Sequence, residues 1–577
     1  MTERRLPGRT AGRVAAVVVV LGLTVTACAE IPTSGLVEEG VEVQAAVEEP
    51  FIRVLPRPPQ PGLEPDEVVA SFLAASASFE DDHAVARLYL SPEAAETWDA
   101  GAGVTVYGDD QGVDFVADGS KVVVRTEAEA TIDAAGLLQP RQVLPVRRRF
   151  LLTQVSGEWR ISRLAPGLLL SRSDVDRSFR SFDLFFLTPE GDRLVPDPVF
   201  VPIARPGAAT SLARALLDGP TPWLAPAVRS AFPSDTTTVV DAVPVENGVA
   251  VVDLTAEALA ASDADRERMA AQLVWTLDQL SEVTAVRITV EGLPLQLPAV
   301  PLDQTTATWA AYDPNVAPTS EAGYLVVDGA VNEYVDATPE PAPGVFGSGS
   351  VALAEPTATL AGDVLAAVTA DRRQVLVQGR FTPDDVETVA TGSSFAGPSF
   401  DQYGRLWMAD RVGSGTVVRV REEGRRTRRV GAPELRRSRV LVLRLASDGT
   451  RAALVVAQPD RTGVLFLARV VRVDERSLQL EGLRRLGRQF VDVVDVAWAQ
   501  SDRLAVLGRV PGSVLQPFLV GVDGDLAQAG GTLQGIVGLA AAPERPLLAA
   551  TEDGRVWQDT PLGWRSLSRG RDPGYPG

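Results

Sequence analysis

Ser447-Asp448-Gly449-Thr450-Arg451-Ala452-Ala453-Leu454-Val455-Val456 is a polar turn running into a short apolar strand. Asp-Gly suits a tight turn, and the apolar run after it suits a buried strand. The same order recurs. Ala370-Asp371-Arg372 precedes Gln374–Val377, Asp401-Gln402-Tyr403-Gly404 precedes Arg405–Met408, Gln500-Ser501-Asp502 precedes Leu504–Leu507, and Pro543-Glu544-Arg545 precedes Leu547–Ala550. These turns lie roughly 30–55 residues apart, near the length of a β-propeller blade. A ring of short sheets leaves few exposed edges. Residues 320–570 are therefore expected to form a degenerate, all-β propeller, with Gly323–Tyr334 lending a strand to the blade that closes the ring.

Upstream, residues 181–300 read as an α+β unit. Asp183–Leu187 is a strand and Ser211–Asp218 a helix closed by Gly219-Pro220. Thr238–Val243 and Val249–Leu254 are read as strands joined at Glu246-Asn247-Gly248. Asp265–Glu282 carries Met269, Leu273, Leu277 and Leu280 on one helical face. Ala285–Val290 is a final strand. Residues 66–170 form a third unit, with helices opening at Pro65-Asp66 and Ser91-Pro92-Glu93. Strands are expected at Val104–Tyr107, Lys121–Ala130 and Arg147–Val155, with a hairpin at Gly157-Glu158-Trp159-Arg160-Ile161. Helices followed by an antiparallel sheet resemble the small cone-shaped NTF2-like domains.

The N-terminus sets the compartment. Arg4, Arg5, Arg9 and Arg13 precede an apolar run from Val14 to Val25, then Thr26-Ala27-Cys28. A run of roughly 12 apolar residues is a signal-peptide core and is too short to span a bilayer. Val25, Thr26 and Ala27 before Cys28 resemble a bacterial lipobox. The resemblance implies cleavage after residue 27, an S-diacylglyceryl thioether on Cys28 and an N-acyl group. Residues 28–65 then read as an acidic and Pro-rich tether.

Composition removes several chemistries. The 577-residue chain has one Cys and one His and a net charge of −20. Zinc sites of the Cys/His kind and His-dependent nucleophiles lack their residues. The acidic balance argues against a nucleic-acid binder. No cofactor and no metal site is called for. His83, in Asp81-Asp82-His83, reads as a helix-end residue on a solvated face. The adjacent pairs Asp109-Asp110 and Glu422-Glu423 do not supply the spaced carboxyls of a glycosidase, although two distant carboxylates can meet at a propeller's centre. Gly347-Ser348-Gly349-Ser350 and Gly413-Ser414-Gly415 read as turns, since neither is a GxxxxGK[ST] loop. Trp407, Trp498 and Trp557 are assigned to the core, and Trp223 is the better interface candidate.

One basic stretch stands out: Arg419, Arg421, Arg425, Arg426, Arg428, Arg429, Arg436, Arg437 and Arg439. Arg425, Arg426, Arg428, Arg429, Arg436 and Arg437 are candidates for binding anions or a partner, because guanidinium matches phosphate and carboxylate geometry. A solvated blade edge, where charge blocks strand-to-strand aggregation, is the plainer reading.

These features fall in a recognisable order. Cys28 is followed by Ile31-Pro32-Thr33-Ser34-Gly35, then the α+β unit, then Phe185-Phe186-Leu187 and Leu216-Leu217-Asp218-Gly219-Pro220, then the degenerate propeller. The middle unit resembles the GerMN domain of spore-germination proteins. The whole chain resembles the LpqB family of actinobacterial lipoproteins. That resemblance implies a non-enzymatic lipoprotein anchored on the extracytoplasmic face of the cell membrane. It implies association with the extracytoplasmic part of the MtrB sensor kinase of the MtrA–MtrB two-component system, with effects on cell-wall homeostasis and division. It carries over no catalytic residue. A cell-wall polymer binder without a signalling role and a propeller glycoside hydrolase are the rival readings.

Overall fold

The computed structural model describes residues 56–577 apart from 110–111, 203–206, 241, 336–337, 423 and 475–476. Cys28, the preceding Val25-Thr26-Ala27 and most of the tether lie outside the described residues, as do Asp110 and Glu423. No helix among the described residues is long and apolar enough to cross a membrane.

The first unit begins with the helix Pro65–Ser76. Glu67 accepts the Glu64 N–H at 2.9 Å and Pro65 occupies the first turn, so the orphan donors of the helix start are reduced. Val68, Val69, Phe72 and Ala75 are buried. They pack on a sheet ordered Glu158–Arg163, Leu138–Val155, Lys121–Ile132, Val104–Tyr107, Leu168–Ser171. Lys121–Ile132 buries every second residue from Val122 to Ile132, the two-residue period of a one-faced strand. The last pair, Val104–Tyr107 with Leu168–Ser171, is parallel.

Two expectations are corrected here. The Pro-rich run at 56–64 is not free tether: Tyr89 donates its hydroxyl to the Arg57 carbonyl at 2.8 Å, and Leu63 packs on the core. His83 is not on a solvated face. It is 5% exposed and lies 4.6 Å from the Phe79 ring and 5.8 Å from Trp98. Asp81, Asp82 and His83 are all left-handed (φ 46, 52 and 59), and this reversal turns the imidazole inward. Desolvation lowers its pKa.

The middle unit is built on the helix Asp263–Leu277, capped by Ser262, with Met269, Leu273 and Leu277 fully buried. Leu280 is also buried but lies beyond the helix end. Strands Val249–Leu254 and Ala285–Val290 run parallel beneath it. Thr238–Val243 is not a strand; only an isolated Thr238–Leu254 bridge forms, and Val245–Glu246 pairs with Val249–Ala250 instead. A strand the pattern did not reveal, Leu194–Pro202, pairs along its whole length with Phe179–Leu187. Pro196, Pro198 and Pro202 conceal it, because proline normally argues against a strand interior. All three share one parity, so their missing N–H groups all face the side away from the partner. This middle core extends past residue 300 to Trp309 and Tyr312.

The outer edge of Phe179–Leu187 is closed by side chains of the long helix and of Gln279 just past its end. Gln272 donates to the Phe185 carbonyl at 2.8 Å and accepts the Ala231 N–H at 2.8 Å. Thr276 accepts the Phe185 N–H at 3.2 Å, and Gln279 both accepts from and donates to the Asp183 backbone, at 2.8 and 2.7 Å. Three side chains thus do the hydrogen bonding of a missing strand.

The third unit comprises six four-stranded sheets among the described residues. Their inner strands are Arg571–Gly574, Leu353–Ala358, Ser399–Phe400, Val440–Leu445, Asp492–Gln500 and Ile536–Ala540, taken here as blades 1 to 6. Four of the five strands expected after polar turns are second strands of their blades; Gln374–Gly379 is a third strand. Gly323–Val327 does sit in the closing blade. Its partner Arg571–Gly574 lies past residue 570 and joins the end of the chain to the start of the ring.

Candidate functional site

The propeller axis is shaped by bulges. In five blades the inner strand carries one extra residue opposite its neighbour, between Ala354 and Thr357, Val440 and Val442, Val493 and Asp495, Ile536 and Gly538, and within Arg571–Gly574. A bulge re-aims the side chains beside it. Glu355 (φ 46) and Asp572 (φ 49) lie at two of these bulges in the left-handed region, and each is followed by a proline. Such a conformation is costly for a non-glycine residue, about 1–3 kcal/mol each.

The result is an axial cavity of about 320 Å³ lined by Glu355, Arg372, Arg444, Asp495, Trp498, Arg571 and Asp572. Glu355 pairs with Arg372 and lies 4.0 Å from Arg444. Asp572 accepts the Glu355 N–H at 3.4 Å and has Arg571 at 3.8 Å. Asp495 accepts the backbone N–H groups of Leu539 and Val496, each at 2.9 Å. Burial pushes its pKa up to about 6, against the pull of Arg444. Gly397 makes room for Glu355, whose carboxylate oxygen lies 1.9 Å from the place a Cβ would occupy.

The segment joining the middle unit to the propeller crosses this axis. Asn315 accepts the Ser501 N–H of blade 5 at 2.8 Å. Thr319 and Ser320 donate their N–H groups to Leu360 of blade 2, and Arg545 of blade 6 donates to the Ser320 carbonyl. Blades 2 and 5 are opposite in the ring, so the strap spans it. Val316 and Pro318 thereby become part of the cavity wall.

The same side of the propeller carries the middle unit. The indole N–H of Trp223 donates to the Gly482 carbonyl at 2.7 Å, and the Arg484 guanidinium lies 4.8 Å from the indole ring. Glu190 receives Arg405 at 3.0 Å and also pairs with Arg472. Tyr403 donates to Asp192 at 2.9 Å and Arg193 donates to Gln402 at 3.2 Å. Behind this contact Asp197 is 2% exposed and accepts the Thr221 N–H and hydroxyl at 2.7 and 2.8 Å. Burial raises its pKa to about 6, while Arg484 and Arg451 oppose the shift. Asp183 is pushed well above the usual carboxylate range by desolvation and by Asp502 and Asp523 of blade 5.

The predicted residues are distributed as follows. Trp407 is fully buried and Trp498 8% exposed, while Trp557 is half-buried. Trp223 is an interface residue, and its interface is internal to the chain. The arginine stretch wraps the outer edge of blade 3, whose last strand is Arg428–Arg429. Arg419 pairs with Asp410, Arg421 with Glu387, and Arg425 and Arg428 with Glu422. Arg426, Arg429, Arg436, Arg437 and Arg439 are exposed and have no ion pair among the described residues. Asp109 accepts from the Ser173 N–H and hydroxyl, which lower its pKa. Sequence reading missed Glu355, Asp495 and Asp572. The signal available was an acidic residue before proline, at Glu355-Pro356 and Asp572-Pro573, which reads as a strand end until the bulge is seen.

Comparison with known proteins follows the same three-part division. Residues 58–176 match the family described as Lipoprotein LpqB, N-terminal domain, residues 183–296 match Sporulation and spore germination, and residues 329–576 match the Lipoprotein LpqB beta-propeller domain. The chain is 33% identical over 629 residues to Lipoprotein LpqB of Thermobifida fusca, covering 98% of this chain and 99% of that relative. It is 31% identical over 589 residues to Lipoprotein LpqB of Cutibacterium acnes, covering 96% of this chain and 97% of the relative. Among solved structures it is similar to TolB from Acinetobacter baumannii, at 16% identity over 44% of this chain and 65% of that one, with a TM-score of 0.34. With its three domains in the same order and its likeness running from end to end, the chain belongs to the LpqB family of lipoproteins.

Proposed function

We propose that the chain is held by lipid on Cys28 at the extracytoplasmic face of the cell membrane, where it binds and modulates an MtrB-type sensor kinase, with effects on cell-wall homeostasis and division. The observation that carries this reading is the blade 3 rim. Five exposed guanidiniums lack an ion pair among the described residues, on a chain whose net charge is −20. Such a rim is suited to an acidic partner surface. The contacts of Trp223 and Glu190 give the rim a fixed setting against the middle unit. Confinement to the same membrane as the kinase raises the effective concentration, so weak contacts suffice. To change signalling, the chain must bind one kinase state better than the other.

Co-purification of the full chain with the kinase's extracytoplasmic domain tests this. Binding that is lost when Arg426, Arg429, Arg436 and Arg437 are changed to Ser supports it, and absence of any association rejects it. The same guanidiniums also fit the phosphodiesters of an anionic wall polymer. Retention of the chain on isolated cell wall, without kinase binding, favours that second reading.

A further inference from the structure

We propose that the axial cavity of the propeller binds a small zwitterion, a free amino acid or free dipeptide presenting one ammonium and one carboxylate group. This inference does not depend on the kinase reading.

The cavity is charged but balanced. Arg372, Arg444 and Arg571 face Glu355, Asp495 and Asp572. A lone ion entering this space loses its hydration and finds no net opposite charge. A ligand that is neutral overall but carries two separated charges is compensated at both ends.

The two ends are distinguishable. Asp495 takes two backbone N–H donors but has no ion pair among the described residues. Burial raises its pKa despite the pull of Arg444, and a ligand ammonium would give it a directly paired countercharge. At the rim, Arg571 is exposed and only loosely associated with Asp572, at 3.8 Å. Its planar fork is free to take a carboxylate in two parallel hydrogen bonds.

The backbone points the same way. Blade closure does not require left-handed acidic residues, since the bulges at Val440–Val442 and Ile536–Gly538 form without them. Glu355 and Asp572 hold that conformation where it aims charge at the axis, and strain of this kind concentrates at ligand sites. Val316 and Pro318 of the strap wall the space, and its volume of about 320 Å³ lies at the lower end of small-ligand pockets.

Titration calorimetry on the full chain in detergent at pH 7 tests the proposal. The probes are alanyl-alanine, its N-acetyl form, its C-terminal amide, free alanine and glucose. Alanyl-alanine is expected to bind at least tenfold more tightly than either blocked form. Asp495→Asn should remove the preference for a free ammonium, and Arg571→Gln, at the exposed rim, the preference for a free carboxylate. Alanine binding as tightly as the dipeptide supports a free amino acid as the natural source, and tenfold weaker binding supports a free short peptide. Equal affinity for all three dipeptides, no binding of any of them, or binding of glucose alone overturns the proposal.

Discussion

Trp223 of the middle domain gives its indole N–H to the carbonyl oxygen of Gly482 in blade 4, at 2.7 Å, while Arg469 of the same blade gives its guanidinium to the Trp223 carbonyl. Trp223 is thus bonded to blade 4 in both directions across a domain boundary, as donor to Gly482 and as acceptor from Arg469. Trp223→Ala should weaken that boundary by about 3 kcal/mol, the range for losing a large packed aromatic. Trp223→Phe keeps a ring under Arg484 and should cost about 1 kcal/mol, for the unmade hydrogen bond. Denaturant unfolding and protease cleavage of the strap, residues 313–322, report both; equal cleavage in all three proteins would contradict the expectation.

Acidification should stabilise the fold over a limited range. Asp197 and Asp495 each have folded pKa values near 6, above their unfolded values, so the folded state holds more protons between about pH 4 and 6. Their contribution is complete below the unfolded value and is lost as pH rises through about 6. Asp183, pushed well above the usual carboxylate range by desolvation and by Asp502 and Asp523, acts in the same direction. Melting temperature should therefore rise from pH 7 to pH 5. Asp197→Asn should flatten the slope, and an unchanged slope would remove Asp197 as a cause.

Gln272 is fully buried and serves two backbone groups at once. Gln272→Leu preserves bulk but leaves the Phe185 carbonyl and the Ala231 N–H unpaired, at about 2–5 kcal/mol in total. Gln279→Leu acts at an exposed edge, where water replaces the bonds, and should cost under about 1 kcal/mol. Urea unfolding of the two variants side by side checks the ranking.

Changing Arg426, Arg429, Arg436 and Arg437 together to Ser should leave thermal stability within about 0.5 kcal/mol, because these side chains are exposed and have no ion pair among the described residues. Partner binding, in contrast, should weaken and lose much of its salt dependence. A large drop in melting temperature would mean the rim is structural.

Cys28→Ala should move the chain from the membrane fraction to the soluble one, because two or more acyl chains are what hold such an anchor stably. Mass spectrometry of the native N-terminus provides the independent check.

How much of this was legible in the sequence depends on range. The blades announced themselves locally, because Asp401 and Asp448 close their own turns by accepting nearby N–H groups, so each turn is written in a few adjacent residues. The long helix was visible in Met269, Leu273 and Leu277, although its cap at Ser262 set the start two residues earlier than the apolar pattern did. Leu194–Pro202 was hidden because its prolines are tolerable only on one side of a two-stranded ribbon, a fact about its partner. The axial charges were hidden for the same reason. Glu355, Asp495 and Asp572 are separated by 140 and 77 positions, and only ring closure brings them to one cavity. Within the arginine stretch, sequence could not separate the paired Arg425 and Arg428 from the exposed Arg426 and Arg429, because the pairing depends on where Glu422 points.

Ring closure by Arg571–Gly574 also dictates an order of events in biogenesis. A chain made and delivered from its N-terminus offers Gly323–Val327 early, with its inner edge bare, and the strand that covers it emerges some 240 residues later. Until then the half-built toroid has two raw sheet edges open to neighbouring chains, and a truncation that removes only those last few residues should behave as an aggregation mutant.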